Sequence, residues 1–351
     1  MSGVVWKSPE PPDQPEYEWG GTPATDGRVV IIMRRPNVVA LKATDGAVLW
    51  RKTVTQQAGL ATRKPLIQRG LVYVPTGATF FALDLTTGDT RWTAQLSHDY
   101  GYCEGTTDDF AVYVCSTERF VAAYDPRTGQ KIWEINPAPN DQFNTNAQGS
   151  ALSGDTLYVV LRRDIVKNGF QRIGSVVGLD RRTGREIWRY DGPAGPQGGA
   201  ERSPVIIGRV LAFNEQSGGA IRAVDRFTGA ELWRVVGEPG FFGPVGTPAV
   251  VGDTIYSASA DTRVYAIHAP TGKVIWSTKG DGSYGNVAAC ANKVFAENLG
   301  IDVRDRRTGQ ILARVVASRG PDFDYAHSGI GSDGNQVYVV GPFATYAISC
   351  R

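Results

Sequence analysis

The stretch AYDPRTGQKIW, residues 123–133, decides the fold because it is one of seven similar stretches. Its relatives are ALKATDGAVLW (40–50), ALDLTTGDTRW (82–92), GLDRRTGREIW (178–188), AVDRFTGAELW (223–233), AIHAPTGKVIW (266–276) and VRDRRTGQILA (303–313). Each reads as an apolar strand, a closing turn and a second strand. The Asp or Thr of the turn hydrogen-bonds to nearby backbone, and its glycine takes the positive φ that closes a hairpin cheaply. The glycines are Gly46, Gly88, Gly129, Gly184, Gly229, Gly272 and Gly309, spaced 42, 41, 55, 45, 43 and 37 residues apart. Self-similar units with a period near 40 mark a solenoid or a propeller.

A further pair of strands precedes each turn, as in GTPAVVGDTIYSASADTRVYAIHAPTG (246–272), and helical periodicity is absent. Four antiparallel strands per repeat at this period predict an all-β fold, the blades of a β-propeller, in a single domain over 1–351. Trp50, Trp92, Trp133, Trp188, Trp233 and Trp276 each stand four residues beyond a turn glycine; Ala313 takes that place in the seventh repeat. Wedging an indole between blades removes ~150–250 Å² from water, at most roughly 4–6 kcal/mol per copy. The joint at Ala313 is therefore expected to be weaker. An eighth unit, NQVYVVGPFATYAISCR (335–351), ends before any turn or Trp, while GVVWKSP (3–9) supplies a strand with Trp6 at the other end. An N-terminal strand completing the last blade closes the ring and leaves no open seam. The expectation is eight blades, with seven the alternative.

The ALDxxTGxxxW repeat resembles that of the pyrroloquinoline-quinone-like repeat family, over nearly the whole chain, and within it the eight-bladed propeller lipoproteins of the outer-membrane β-barrel assembly machinery. The resemblance implies the fold. It leaves function open, because the family includes dehydrogenases, scaffolds, sensor domains and some lyases. Its dehydrogenases hold a three-carboxylate quinone beside calcium, covered in the alcohol enzymes by a ring of adjacent cysteines. This chain has no Cys-Cys pair and no CxxCH, so no cofactor is expected. CxxC, HxH and HExxH are also missing, as are a phosphate loop and a GxSxG elbow, and no metal is expected.

Composition narrows the partners. A formal net charge of +2 with 21% charged residues gives no electrostatic footprint for nucleic acid. No apolar run approaches the ~20 residues of a transmembrane helix, and a monomer is expected. The first residues, MSGVVWKSPEPPDQPEYEW, lack the pattern of a signal peptide. The expectation is cytoplasmic if Met1 is native, and periplasmic or otherwise extracytoplasmic if a leader has been removed. Cys103 and Cys115 flank the turn TTDDF (106–110) as candidate cross-strand neighbours; Cys290 and Cys350 read as small buried apolar residues.

Strand alternation puts the Thr-Gly turns on one uniform rim. The hairpins between second and third strands share the other, diverse rim with the connections between blades, and function favours variable loops on a rigid scaffold. Repeat four carries the longest of these hairpins, LRRDIVKNGFQRIGSVVGLD (161–180), with Arg162, Arg163, Lys167 and Arg172. Three lead-ins to inner strands are bland: GGTPAT (20–25), ERSPVI (201–206) and VGTPAV (245–250). The others are SHDYGYCEGTT (97–107), NDQFNTNAQGS (140–150), GDGSYGNVAAC (280–290) and GPDFDYAHSGI (320–330), with EPGFFG (238–243) ahead of a bland one. They would bring Tyr100, Asn144, Asn146, Phe241, Phe242, Tyr284, Asn286 and Tyr325 to the mouth of the central channel as ligand-binding residues. His327 with Asp324 would supply a general base and Tyr102, from another blade, its acid, with Glu104 completing the candidate catalytic set; loops that simply plug the channel and satisfy one another are the alternative. His268 replaces the turn Asp and reads as structural. Two functions follow. One is a non-catalytic propeller holding a protein segment or a small polar or aromatic molecule at the channel mouth. The other is an acid/base enzyme of lyase, cyclase or isomerase type at the same place.

Overall fold

The computed structural model describes residues 3–9, 21–34, 36–54, 64–77, 79–98, 100, 103–116, 118–139, 145–166, 170–195, 200–215, 220–237, 246–280, 285–298, 300–315, 329–341 and 344–351. These residues form eight four-stranded antiparallel sheets and no helix, arranged as an eight-bladed propeller. Blade 1 contains β2 (Ala24–Thr25), β3 (Val29–Arg34), β4 (Asn37–Lys42) and β5 (Val48–Thr53). Blades 2 to 7 repeat that order over 66–95, 106–135, 146–191, 200–236, 249–279 and 287–315. Blade 8 joins the two ends of the chain. Its β30 (Gly329–Ser332), β31 (Gln336–Val340) and β32 (Ala344–Ser349) are completed by β1 (Val4–Pro9), with Trp6 opposite Ala347 and Val4 opposite Ile348.

Each letter of the repeat has a task. In the blade 2 turn, the Asp84 carboxylate accepts the N–H groups of Thr86 and Thr87 at 2.8 and 3.0 Å. Its carbonyl accepts the Gly88 N–H at 2.9 Å, and Thr87 Oγ1 accepts the Asp89 N–H at 3.2 Å. The turns at Asp125, Asp180, Asp225 and Asp305 use the same Asp-to-backbone bonds. At His268 the ring Nδ1 lies 2.8 Å from Thr271 Oγ1, a local turn contact in place of the Asp.

The tryptophans bind blade to blade. Trp6, Trp50, Trp92, Trp133, Trp188, Trp233 and Trp276 each donate the indole N–H to a carbonyl three residues before the next blade's turn glycine, at 2.7–3.0 Å. Within its own blade each indole stands opposite a small third-strand residue, as Trp92 does to Ala82 and Trp188 to Gly178. A second-strand tyrosine flanks it in five blades, with ring centroids 5.9–6.1 Å apart. Blade 7 inverts the volumes: Val303 stands opposite Ala313. Of these seven indoles, Trp6 (7% exposed) and Trp50 (8%) are fully enclosed. The other five are half-buried, so the burial gain expected from the sequence is reached at two joints and reduced at the rest.

The turn glycine is required twice over at these joints. Gly46 has φ +73°, and a Cβ there would fall 2.5 Å from the Trp6 ring; Gly27, at φ +87°, has open space beside it. Gly27→Ala should therefore cost about 1 kcal/mol through the backbone alone, and Gly46→Ala about 1–3 kcal/mol more through overpacking. Equal urea midpoints for the two variants would contradict the wedge geometry.

All four cysteines are bonded: Cys103 to Cys115 and Cys290 to Cys350. The second pair corrects the reading of Cys290 and Cys350 as merely apolar. Both are buried, but closure of the ring brings them to 5.7 Å between Cα atoms, within disulfide range. The long hairpin of blade 4 is formed by β15 (Thr156–Val166) and β16 (Phe170–Asp180), paired to the tip at Val166 and Phe170. The neighbouring strand β14 (Asn146–Ser153) pairs only as far as Arg162, so the hairpin overhangs the blade.

Candidate functional site

The first strands of adjacent blades contact one another all round the ring, so they are the innermost strands. Approach there is so close that a Cβ on Gly246 would fall 2.0 Å from the Gly285 carbonyl oxygen, so only glycine fits. A cavity of about 370 Å³ opens at this neck, lined by the lead-ins of blades 1, 2, 3, 6, 7 and 8. Its polar groups include Lys64, Glu104, Thr106, Thr247 and Asn286.

Glu104 stands in the wall of the neck. It is 1% exposed and lies just before β10 (Thr106–Thr107) of blade 3. Its backbone bonds to blade 4, donating to Gln148 O at 3.2 Å and accepting from Ser150 N at 2.8 Å. Its Oε2 accepts a hydrogen bond from Thr247 Oγ1 of blade 6 at 3.0 Å, 143 residues away in sequence. Its Oε1 lies 3.8 Å from Arg202 Nη1 of blade 5. The chain of bonds continues around the wall. Asn286 Oδ1 accepts the Thr247 N–H at 3.0 Å, and Glu297 Oε2 accepts the Asn286 N–H at 2.7 Å. Glu104 thus ties four blades together, its backbone joining blade 3 to blade 4 and its carboxylate reaching blades 5 and 6, and through Thr247 the chain of bonds reaches blade 7. Burial alone would raise the Glu104 pKa. The charges of Arg202 and Lys64 and hydrogen bonds from Ser203 and Thr247 outweigh that and hold it below the usual glutamate value. Glu104 is therefore ionised at neutral pH, an acceptor for N–H or O–H groups rather than a proton donor.

The structure brings Glu104 and Asn286 of the sequence-derived set to one cavity. Asn146 begins β14, opposite Arg162, and is half-buried. Tyr100 departs from its expected place at the channel mouth. It is buried in the apolar cluster between blades 2 and 3 with Phe80 and Tyr124, and donates to Glu134 Oε2 at 2.7 Å. Burial and that bond push its phenol far up. His98 stacks on Phe120 with 3.6 Å between centroids and lies 2.8 Å from Glu118 Oε2 through Nδ1. Tyr102, Asn144, Phe241, Phe242, Tyr284, Asp324, Tyr325 and His327 lie outside the described residues. Sequence reasoning missed Lys64, Arg202 and Thr247. The last two sit in lead-ins that look bland, and the available signal was a charged side chain in ERSPVI. Arg202 has φ +64°, within the bulge of β18 (Ala200–Ile207) between Glu201 and Val205. Such backbone strain is tolerated where surrounding structure over-determines it.

The repeat, the sealed ring and the polar neck define an eight-bladed propeller of the quinone-like repeat type. The chain belongs to the family described as outer membrane protein assembly factor BamB, whose model matches residues 2–160, 105–221 and 217–299. It is similar to BamB from Moraxella catarrhalis, at TM-score 0.72 and 16% identity over 98% of this chain and 99% of that one. It is also similar to the quinohemoprotein alcohol dehydrogenase from Comamonas testosteroni, at TM-score 0.69 and 16% identity over 99% of this chain and 76% of that one. At these identities the likeness is one of fold. In sequence it is 30% identical to the serine/threonine-protein kinase AfsK of Streptomyces griseus over 175 residues, 47% of this chain and 20% of the kinase. It is 24% identical to the polyvinylalcohol dehydrogenase of a Pseudomonas species over 220 residues, 46% of this chain and 34% of that enzyme. The chain thus spans from a fifth to a third of the length of these curated relatives.

The described residues of the neck do not by themselves supply the carboxylate-rich oxygen cage that a quinone's calcium ion takes. Calcium takes 6–8 oxygen ligands, whereas among the described residues no group of three or more His, Cys, Asp or Glu converges on one point. Glu104, the carboxylate lining the cavity, already faces Thr247 and Arg202. Among the described residues no helix is long and apolar enough to cross a membrane.

Proposed function

We propose that this chain is a non-catalytic binding propeller that holds a polypeptide partner on its diverse rim. The observation that carries the reading is the commitment of Glu104. It is ionised, bonded across the channel to Thr247 and paired with Arg202, so it serves as a bolt between blades. A scaffold gains from such a bolt, because a rigid platform lowers the entropy lost when a partner docks. The β15–β16 hairpin of blade 4, which runs past the end of β14 to its tip at Val166 and Phe170, gives that rim a projecting contact element. Membership in the assembly-factor family supports a protein partner. Two disulfides support residence in an oxidising compartment.

The test is site-specific photo-crosslinking in the native host, with the probe at Gln171 on the hairpin or at Thr86 on the Thr-Gly rim. A single polypeptide captured at position 171, displaced by excess unlabelled propeller and missing at position 86, is the expected result. Capture only at 86, or at neither, would reject the reading. The neck cavity favours a second reading, recognition of a small polar molecule, as a sensor module of a longer protein would need. If the site were instead an acid/base centre, His327→Ala and Tyr102→Phe would each abolish turnover without moving the melting temperature.

A further inference from the structure

Seven joints of the ring share one lock, an indole bound to the next blade's turn. The joint between blades 7 and 8 is built differently. Blade 7 offers Ala313 where the others offer Trp. Blade 8 has no Thr-Gly turn, because the chain's two ends meet in that blade. Cys350 occupies the position that accepts the indole elsewhere. Its N–H donates to Asn335 O at 3.0 Å, as Ala43 N–H does to Arg28 O at 2.8 Å and Arg306 N–H to Asn292 O at 2.7 Å. Cys290 ends the first strand of blade 7, β26 (Val287–Cys290), a place held in blade 4 by Ser153. At the joint between blades 4 and 5 these same two positions meet through a hydrogen bond, Arg226 Nη1 to Ser153 Oγ at 2.9 Å. At the joint between blades 7 and 8 they meet through a covalent bond.

We propose that the Cys290–Cys350 disulfide is a redox clasp that replaces the eighth indole lock, so that reduction opens the ring at this joint and leaves the other seven closed. A dithiol supplies two electrons and two protons. The sulfur–sulfur bond breaks, both cysteines become thiols, and the reductant closes its own disulfide. The faces that part are apolar, with Phe295, Val303 and Val315 on one side and Ile330, Val339 and Ile348 on the other. Reduction would therefore expose a sticky seam along the blade that also holds the N-terminal strand. Cys103–Cys115 has no such role, since it joins the lead-in of blade 3 to a strand of the same blade.

Hydrogen exchange read by mass spectrometry on the 351-residue chain tests the clasp in three samples: oxidised, reduced with dithiothreitol, and the oxidised Cys290→Ser/Cys350→Ser variant. At least tenfold faster exchange is expected in β26, β30, β31, β32 and β1 of the reduced protein and of the variant, with the strands of blades 4 and 5 unchanged. Cys103→Ser/Cys115→Ser is the control and should leave the seam protected. Unchanged exchange at the seam of the variant would overturn the proposal, as would acceleration spread over all blades. A variant that cannot be recovered folded would also overturn it, because the bond would then support the whole ring rather than one joint.

Discussion

Trp6→Ala lowers the unfolding free energy by about 3–5 kcal/mol, more than the same change at any half-buried indole. Trp6 is 7% exposed and packs with Val30, Ile32, Leu41, Tyr338 and Val340 in a cluster that spans blades 8 and 1. Truncation leaves a ring-sized void there and leaves the buried Ala43 carbonyl without the N–H it receives at 2.8 Å. An unsatisfied buried acceptor adds its own desolvation cost of about 1–3 kcal/mol within that total. The side chain also belongs to β1, whose backbone pairs only with β32, so its loss weakens the strand that completes the ring. Trp276→Ala removes a half-exposed ring with the same hydrogen bond and should cost about half as much. Trp6→Phe keeps most of the packing and loses the N–H, for about 1–2 kcal/mol. Chemical denaturation of the three variants checks the order. Equal losses for Trp6→Ala and Trp276→Ala would show that burial does not rank the joints.

The reason for writing one turn seven times is that every letter of it faces a neighbour. The Asp satisfies turn amides, the Thr oxygen caps the returning strand, the Gly makes room, and the Trp of the preceding blade fills that room. Such a code is legible because its contacts fall at fixed offsets, and it exposed the eight blades and the N-terminal closure. The Cys290–Cys350 bond was harder to see, since its partners are 60 residues apart and meet only after the ring closes. Aligning Cys350 with Ala43 and Arg306 would have placed it at a joint. The neck divides in the same way. Glu104 and Asn286 stand out as polar residues beside inner strands, and both line the cavity. Tyr100 has the same local appearance yet turns into the gap between blades, where Glu134 accepts its hydroxyl. Nothing within a connecting segment tells its side chains to face the axis or the neighbouring blade. Thr247 was hidden because its role depends on a carboxylate three blades away.

Glu104→Ala should cost about 2–4 kcal/mol, because it removes the carboxylate beside the half-buried Arg202 guanidinium and takes from Thr247 Oγ1 its acceptor across the channel. Glu104→Gln keeps the shape and a hydrogen-bonding oxygen but drops the charge, for about 1–3 kcal/mol. The pH dependence separates charge from shape. The folded pKa of Glu104 is lowered, so the unfolded chain binds the proton more readily than the folded one. The stabilisation is complete above the ordinary glutamate value of about 4.3 and is lost as pH falls through the lowered folded value. The stability gap between the native chain and Glu104→Gln should therefore be constant from pH 7 to about 5 and close as the solution becomes more acid. Other carboxylates shape the acid limb of both proteins equally and cancel in the difference. Unfolding free energies of the two chains across that range measure the gap directly. A gap that widened on acidification would mean that Glu104 is protonated more easily when folded. The neck would then hold an acid poised to donate, and the scaffold reading would give way to the catalytic one.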